Sequence, residues 1–321
     1  MYSHQNTSKN KLSLNIVVPC YNEQEVLYET TSQLTTLVDR MINAEAISNC
    51  NIVYVDDGSN DATWSIIMDL HTRNKYVRGI KLAHNVGHQN ALWAGMEWSI
   101  NSCDAIVSID ADLQDDVNAI NDMVQAYRSG YDIVFGVRKE RKTDTFFKRN
   151  SAQLFYHLMK YMGVDIVYNH ADFRLIDKDI LLQLMQYPER NIFLRGMVKG
   201  LGYKTTEVYY DRKARMAGES KYPLHKMINF ALDGITSYSI KPLRLISTLG
   251  SIMIVLSIAA AIYALISYIV GITVAGWTSI LVSLWFIGGG VLFSLGIVGE
   301  YIGKIYKEVK RRPRYHIENE C

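Results

Sequence analysis

The chain has 321 residues, with 34 Lys and Arg against 32 Asp and Glu and a net charge of +2. So small an excess leaves no electrostatic case for nucleic acid as a partner. Cys20, Cys50, Cys103 and Cys321 show neither C-x-x-C nor paired spacing, which argues for reduced thiols and against a disulfide framework or a thiolate zinc site.

Strand and helix patterns alternate from the start. Leu14–Val18 reads as a strand, Glu25–Met41 as a helix, Ile52–Val55 as a strand and Asp61–Thr72 as a helix. A strand at Val77–Leu82, a helix at His88–Asn101, a strand at Ala105–Ile109, a helix at Val117–Arg128 and a strand at Asp132–Val137 follow. Strands separated by such helices predict βαβ units and an α/β, mostly parallel, doubly wound sheet. Beyond Arg138 the pattern predicts an amphipathic helix at Thr145–Tyr161, a strand at Asp172–Ile176, a helix at Asp177–Met185 and a half-exposed edge strand at Tyr203–Tyr209. Tyr222–Ile240 reads as a helix lying along a membrane surface, or as a plain core-packed helix.

Between Arg244 and Glu300 there is no Asp, Glu, Lys or Arg. Two apolar segments, Leu245–Val270 and Ser279–Val298, flank the turn-like Gly271–Gly276, and each is near the ~20 residues that a bilayer-spanning helix needs. Lys241 and Arg244 precede the pair, while Lys304, Lys307, Lys310, Arg311, Arg312 and Arg314 follow it. The positive-inside rule puts both ends in the cytoplasm and the uncharged loop outside, with the basic cluster suited to anionic headgroups. Met1–Lys11 is polar and lacks an apolar signal core, so the region before the hairpin is expected to stay cytoplasmic. The expected organisation is a catalytic domain over 1–221, a juxtamembrane helix over 222–242, two transmembrane helices over 243–300 and a basic tail over 301–321.

Four polar clusters follow predicted strands, and open α/β sheets bind ligands beyond the carboxyl ends of their strands. Asp110-Ala111-Asp112-Leu113-Gln114 offers two carboxylates and an amide oxygen, a hard set suited to Mg²⁺ or Mn²⁺, although a capped turn uses the same residues. Pro19-Cys20-Tyr21-Asn22-Glu23 could present a stacking face and hydrogen-bond partners to a base, or start a helix with Asn22 as its N-cap. In Asp56-Asp57-Gly58-Ser59, adjacent carboxylates need a compensating ligand, cation or donors. The amides of His84-Asn85-Val86-Gly87-His88-Gln89-Asn90 either approach a ligand or hold loops together, and no H-E-x-x-H pattern supports zinc there. Lys and Arg bind phosphates readily, and Arg138, Arg141, Lys142, Lys148, Arg149, Arg215 and Lys221 are candidates. The chain has no G-x-G-x-x-G after its first strand, no G-x-x-x-x-G-K-[ST] and no G-x-S-x-G, which disfavours NAD dehydrogenases, P-loop NTPases and α/β-hydrolases.

Val17-Val18-Pro19-Cys20-Tyr21-Asn22-Glu23, Val55-Asp56-Asp57-Gly58-Ser59, Asn85-Val86-Gly87 and Asp110-Ala111-Asp112-Leu113-Gln114 occur in that order. Together they resemble the inverting glycosyltransferases of family two, which have the GT-A fold. Asp172-Phe173-Arg174-Leu175 and Arg215-Met216-Ala217-Gly218-Glu219-Ser220-Lys221 narrow the resemblance to polyprenyl-phosphate glycosyltransferases. These include dolichol-phosphate mannose synthases and bacterial bactoprenol-phosphate glucosyltransferases, and the likeness covers Leu14–Arg314.

The resemblance implies transfer of one sugar, glucose or N-acetylglucosamine, from a UDP-sugar to undecaprenyl phosphate at the cytoplasmic face of a bacterial plasma membrane, by a homotetramer. Pro19, Tyr21, Glu23, Asp56 and Asp57 would hold the nucleotide. Asp110 would face the ribose or sugar and, with Asp112 and Gln114, the metal. Arg138, Arg149, Arg215, Ser220 and Lys221 would steady the phosphates, and Asp172 would be a base or would orient Arg174 or the sugar. A processive polysaccharide synthase is the alternative, but no tryptophan here follows an arginine as the Q-x-x-R-W motif requires. A membrane-tethered binding scaffold without turnover is the other.

Overall fold

The computed structural model describes residues 12–139, 170–190, 192, 194–212, 236, 239–271 and 276–321. They fall into two compact units, parted at 222/223 and again at 311/312. The helices expected at 145–161 and 222–240 lie outside the described residues, except for 236, 239 and 240 of the second.

In the first unit the elements run β1 (Ser13–Cys20), α1 (Leu27–Asn43), β2 (Asn49–Asp56), α2 (Thr63–Arg73), β3 (Val77–Leu82), α3 (His88–Ser99), β4 (Ala105–Ser108), α4 (Ala119–Arg128) and β5 (Ile133–Arg138). They continue with β6 (His170–Asp177), α5 (Lys178–Met185), α6 (Leu194–Gly200) and β7 (Thr205–Tyr210), and β8 (Ile317–Glu320) joins from the far end of the chain. One eight-stranded sheet has the order β7-β5-β6-β4-β1-β2-β3-β8. Only β6 and β8 run antiparallel to their neighbours.

The apolar runs form central strands because both faces of the sheet are covered. In β1 every residue after Ser13 is buried, and β2 is buried from Ile52 to Asp56. The buried exception Asn15 is satisfied, donating to Ser102 Oγ at 2.8 Å and accepting from Asn51 Nδ2 at 3.1 Å. Helix α1 buries Leu27, Leu34, Leu37, Val38 and Met41, a three-and-four spacing that makes one apolar stripe. Helix α3 lies so close to the sheet that a side-chain carbon at Gly95 would stand 2.4 Å from Val17 and 2.7 Å from Val55. That approach sets the height at which the first turn of α3 meets the carboxyl ends of the strands.

Pro19 pairs with Val55 on β2, while the β4 pairing ends earlier, at Val17 and Ser108, so no β4 partner needs the missing N–H. Three expectations are revised. Helix α1 starts at Leu27, so Asn22 is not its N-cap. Helix α6 lies in a stretch where no element was expected. Residues 301–321 are not a tail but the last turns of a long helix followed by β8, which pairs with β3.

The second unit contains α7 (Lys241–Ile269) and α8 (Trp277–Lys310). At 1.5 Å per residue, their 29 and 34 residues both exceed the ~30 Å of a hydrocarbon core. Two windows, Lys241–Ala260 and Ser283–Lys310, have mean hydropathies of 1.9 and 1.5 and no buried share. Both helices are therefore long and apolar enough to cross a bilayer, and their apolar faces are not used up in a protein core.

Candidate active site

The carboxyl ends of β1 and β2 carry loops that are laced together. Asn22, in the left-handed region at φ 55°, donates its N–H to Ser59 Oγ at 2.9 Å and accepts from the Asn60 N–H at 2.9 Å. The Glu23 N–H donates to Thr63 Oγ1 at 2.9 Å, which leaves Tyr21 exposed at the edge of the laced loops. Asp56 is fully buried: its Oδ1 accepts from the Ser59 N–H at 3.0 Å and its Oδ2 has no partner. Burial raises its pKa, against the opposing pull of Ser59 and Lys81. Asp57 accepts the N–H groups of Val86 (2.7 Å) and Gly87 (3.0 Å), so it fastens the β3–α3 loop to the end of β2. Burial is also the main cause of its raised pKa. The joint needs two glycines: Gly87 has φ 88°, and Gly58, at φ 65°, lies so close to that loop that an added carbon would stand 2.7 Å from the Asn85 nitrogen.

Beyond β4 the acidic turn is strained. Leu113, buried between Asp112 and Gln114, has φ 55°, a conformation that costs energy in a bulky residue. The twist folds Gln114 back on Asp112. Its N–H donates to Oδ1 at 3.1 Å and its Nε2 to Oδ2 at 2.8 Å, while its Oε1 accepts from Arg212.

Asp172 reaches this turn because β6 is antiparallel. Ser108 pairs with Arg174, and two more residues of that register set Asp172 across from Asp110. Ser108 Oγ donates to the Asp172 carbonyl at 2.6 Å. The Asp172 carboxylate takes Arg174 on Oδ1 and Gln89 Nε2, at 3.2 Å, on Oδ2. His88 Nε2 stands 3.5 Å from Asp172 Oδ2 and 3.6 Å from Asp110 Oδ1, between the two carboxylates. Burial, followed by the charges of Asp115, Asp172 and Asp112, raises the pKa of Asp110, and His88 opposes them. About a third of the Asp110 side chain remains open to solvent, whereas Asp172 is nearly closed off.

Arg138 does not stand free at the end of β5. Its Nε donates to Asp115 Oδ1 at 3.0 Å, its Nη2 lies 2.8 Å from the same oxygen in an ion pair, and the Tyr210 hydroxyl donates to that oxygen at 2.7 Å. Asp115 attracts the guanidinium and raises its pKa against the effect of burial. Arg149, Arg215, Ser220 and Lys221 lie outside the described residues.

Of the expected site residues, Asp110, Asp112, Gln114 and Asp172 thus gather at one rim, with Pro19 and Asp56 at the ends of β1 and β2 and Tyr21, Glu23 and Asp57 on the loops that follow them. Gln89 belongs to the amide run expected to approach a ligand or hold loops together, and it ties Asp172 and Leu194, whereas His88 and Asp115 were not assigned a role from the sequence. For His88 and Gln89 the signal was their place at the start of a helix after a strand, and for Asp115 its position directly after Gln114. The donor set suits a hard divalent cation: oxygen ligands, with mutually repelling carboxylates at the turn. Among the described residues no three His, Cys, Asp or Glu side chains form a metal-holding group, so a bound ion would depend on its ligand for further oxygens.

A largely parallel open sheet, an acidic D-x-D turn beyond its central strand and an antiparallel strand beside it define a GT-A nucleotide-sugar transferase fold. The chain belongs to glycosyl transferase family 2, whose model matches residues 15–185. It is 53% identical over 306 residues to the uncharacterized glycosyltransferase YkoT of Bacillus subtilis (strain 168), covering 95% of this chain and 91% of that protein. The bactoprenol glucosyl transferase of Shigella phage SfV is 37% identical over 314 residues, 96% of this chain and 99% of that one. Among solved structures, glucosyl-3-phosphoglycerate synthase from Mycobacterium tuberculosis, in complex with Mn²⁺, UDP-glucose and phosphoglyceric acid, matches with a TM-score of 0.45 and 16% identity, over 70% of this chain and 78% of that one.

Proposed function

We propose that this glycosyltransferase moves a single sugar, glucose or N-acetylglucosamine, from a UDP-sugar to undecaprenyl phosphate, with inversion. The reading rests on one group, Asp110, Asp112, Gln114 and Asp172 with His88, at the rim where open α/β sheets bind their ligands. The polyprenyl acceptor follows the relatives named bactoprenol glucosyl transferase, whose likeness runs through the two apolar helices. Uridine follows the resemblance to the bacterial enzymes, and so does a homotetramer.

The exposed ring of Tyr21 would offer a stacking face for the base, and Pro19, Glu23, Asp56 and Asp57 would hold the nucleotide with it. Asp112 and Gln114, with Asp110 beside them, would hold Mg²⁺ or Mn²⁺ together with the donor diphosphate. When bound, such an ion supplies positive charge against the departing diphosphate. The lipid phosphate oxygen bonds to the anomeric carbon from the side opposite the diphosphate. The carbon–oxygen bond to the donor breaks, and UDP leaves with the electron pair. A phosphate monoester has a second pKa near ~6 and is already anionic at neutral pH, so no base is needed to make it a nucleophile. Both oxygens of Asp172 already accept hydrogen bonds, which favours an orienting role for it. Arg149, Arg215, Ser220 and Lys221 would draw the phosphates of donor and acceptor. The hairpin would hold the catalytic unit at the cytoplasmic face, aligning the acceptor and lowering the entropic part of the barrier.

The test incubates purified protein and undecaprenyl phosphate with Mg²⁺ or Mn²⁺ and a panel of nucleotide sugars. A lipid-linked sugar should appear with UDP-glucose or UDP-N-acetylglucosamine, and it should disappear in Asp112→Ala or with a chelator. No lipid-linked product from any donor would refute the proposal.

A further inference from the structure

The last ten residues are fastened to the sheet and to α3 rather than left in solvent. Cys321 and Gly79 exchange both backbone hydrogen bonds, at 2.8 and 2.9 Å, and the Ala83 N–H donates to the His316 carbonyl at 2.9 Å. Side chains then reach α3 at three places. The Tyr315 hydroxyl donates to Glu97 at 2.8 Å, and the Trp98 indole donates to Glu320 at 3.0 Å. The Arg314 guanidinium lies over the fully buried ring of Trp93, 4.3 Å from its centroid.

Arg314 also binds the turn after α5. Its Nη2 donates to the carbonyl oxygens of Tyr187 at 2.8 Å and Glu189 at 2.6 Å. At the start of α6, the Leu194 N–H donates to Gln89 Oε1 at 3.3 Å. Gln89 sits one helical turn before Trp93 on the same face of α3, and its Nε2 is the donor to Asp172. Tyr187 and Glu189 are therefore tied to α3 through Arg314, and Leu194 through Gln89.

We propose that Arg314 is a positioning residue for the transfer reaction. It fixes the 187–190 turn against α3 and so sets the place from which Gln89 and His88 meet Asp172. A guanidinium is well shaped for this role, because its flat face stacks on the indole while its fork serves two carbonyl oxygens that belong to no helix or strand. A lysine offers a point charge and no plane. The competing account is that the segment only covers the open edge of β3 against pairing with other chains.

The kinetic arm of the test rests on the transferase reading, and the hydrogen-exchange arm does not. Full-length enzyme is compared with Arg314→Ala, Arg314→Lys and Glu318→Ala; the last breaks an edge ion pair with Lys81, at 2.9 Å, without touching α3. Arg314→Ala should speed amide exchange at 187–190 and lower kcat about tenfold or more, since misplacement by about 1 Å can cost ~10²-fold. UDP affinity should stay within about twofold, because the nucleotide loops are separate from the strap, and Arg314→Lys should recover only part of the rate. Glu318→Ala should match the wild type. Wild-type kcat in Arg314→Ala, unchanged exchange at 187–190, or UDP affinity that falls in step with kcat would each overturn the proposal. If Arg314→Ala fails to fold, Arg314→Lys is judged by the same criteria. If the wild type transfers no sugar, the transferase reading falls, and unchanged exchange still overturns the strap.

Discussion

Replacing Arg138 by Met asks whether this guanidinium serves a phosphate or Asp115. The Asp115 side chain is 1% exposed; Arg138 Nε and the Tyr210 hydroxyl donate to its Oδ1, which Arg138 Nη2 also meets in an ion pair, while Oδ2 has no partner among the described residues. Removing Arg138 leaves a buried carboxylate with Tyr210 alone. Breaking a buried ion pair from one side costs ~3–5 kcal/mol. The Arg138 side chain is 24% exposed, so water can enter where it stood, and the lower end, about 3 kcal/mol, is expected. Asp115→Asn keeps an acceptor for both donors and removes the stranded charge, so it should cost only ~1–2 kcal/mol. In the double variant no carboxylate is left stranded at this position, and the combined cost should fall short of the sum by ~1–2 kcal/mol. At roughly 2–4 °C per kcal/mol for a domain of this size, Arg138→Met should lower the melting temperature by about 6–12 °C. Tryptophan fluorescence during thermal unfolding in detergent gives these numbers, and the KM for the donor is measured beside them. A variant that melts within about 2 °C of the wild type but needs much more donor would refute the structural role and restore Arg138 to the phosphates.

Gly95→Ala should cost ~1–3 kcal/mol by overpacking, because both contacts it would make are with β-branched side chains on central strands. A melting temperature equal to the wild type's would mean that α3 can lift from the sheet without loss. Asp56→Asn tests the buried charge beside the nucleotide loop. The raised pKa of Asp56 means that the folded state binds this proton more tightly than the unfolded chain. Its contribution is therefore complete below the unfolded pKa of ~3.9 and is lost as pH rises through the folded value. The wild type should lose stability relative to Asp56→Asn as pH climbs from about 4 towards 7. A constant or opposite difference across a pH series of melting temperatures would contradict the assignment.

The strands that carry the site were legible because burial on both faces leaves uninterrupted apolar runs, as in Leu14–Val18 and Ile52–Val55. β7 was legible as an edge because its exposure alternates until Tyr210. β8 was not: Ile317-Glu318-Asn319-Glu320 is exposed throughout and is held by backbone pairing, which leaves no apolar pattern. In the site, Asp110, Asp112 and Gln114 were legible because one turn makes them neighbours. Arg138 was read as a free phosphate cation because its partner lies 23 residues earlier in the chain. No local pattern reports that kind of contact.

The placing of Asp172 has a topological cause. Parallel strands present their carboxyl ends to the rim, so β1, β2 and β4 each contribute the loop at their C-terminal end. β6 lies between β4 and β5 and runs the other way, so it presents its beginning, and Asp172 is its third residue. One reversed strand thus brings a residue far along the chain against the turn after β4. The reversal also sets Asp110 and Asp172 across from each other, a repulsive pair that His88, Gln89 and Arg174 offset from α3 and from β6 itself. The start of α3 therefore has to be held at a fixed distance from both carboxylates. Gly95 sets that distance from the sheet side, and the contacts of Trp93 and Gln89 set it from the outer side.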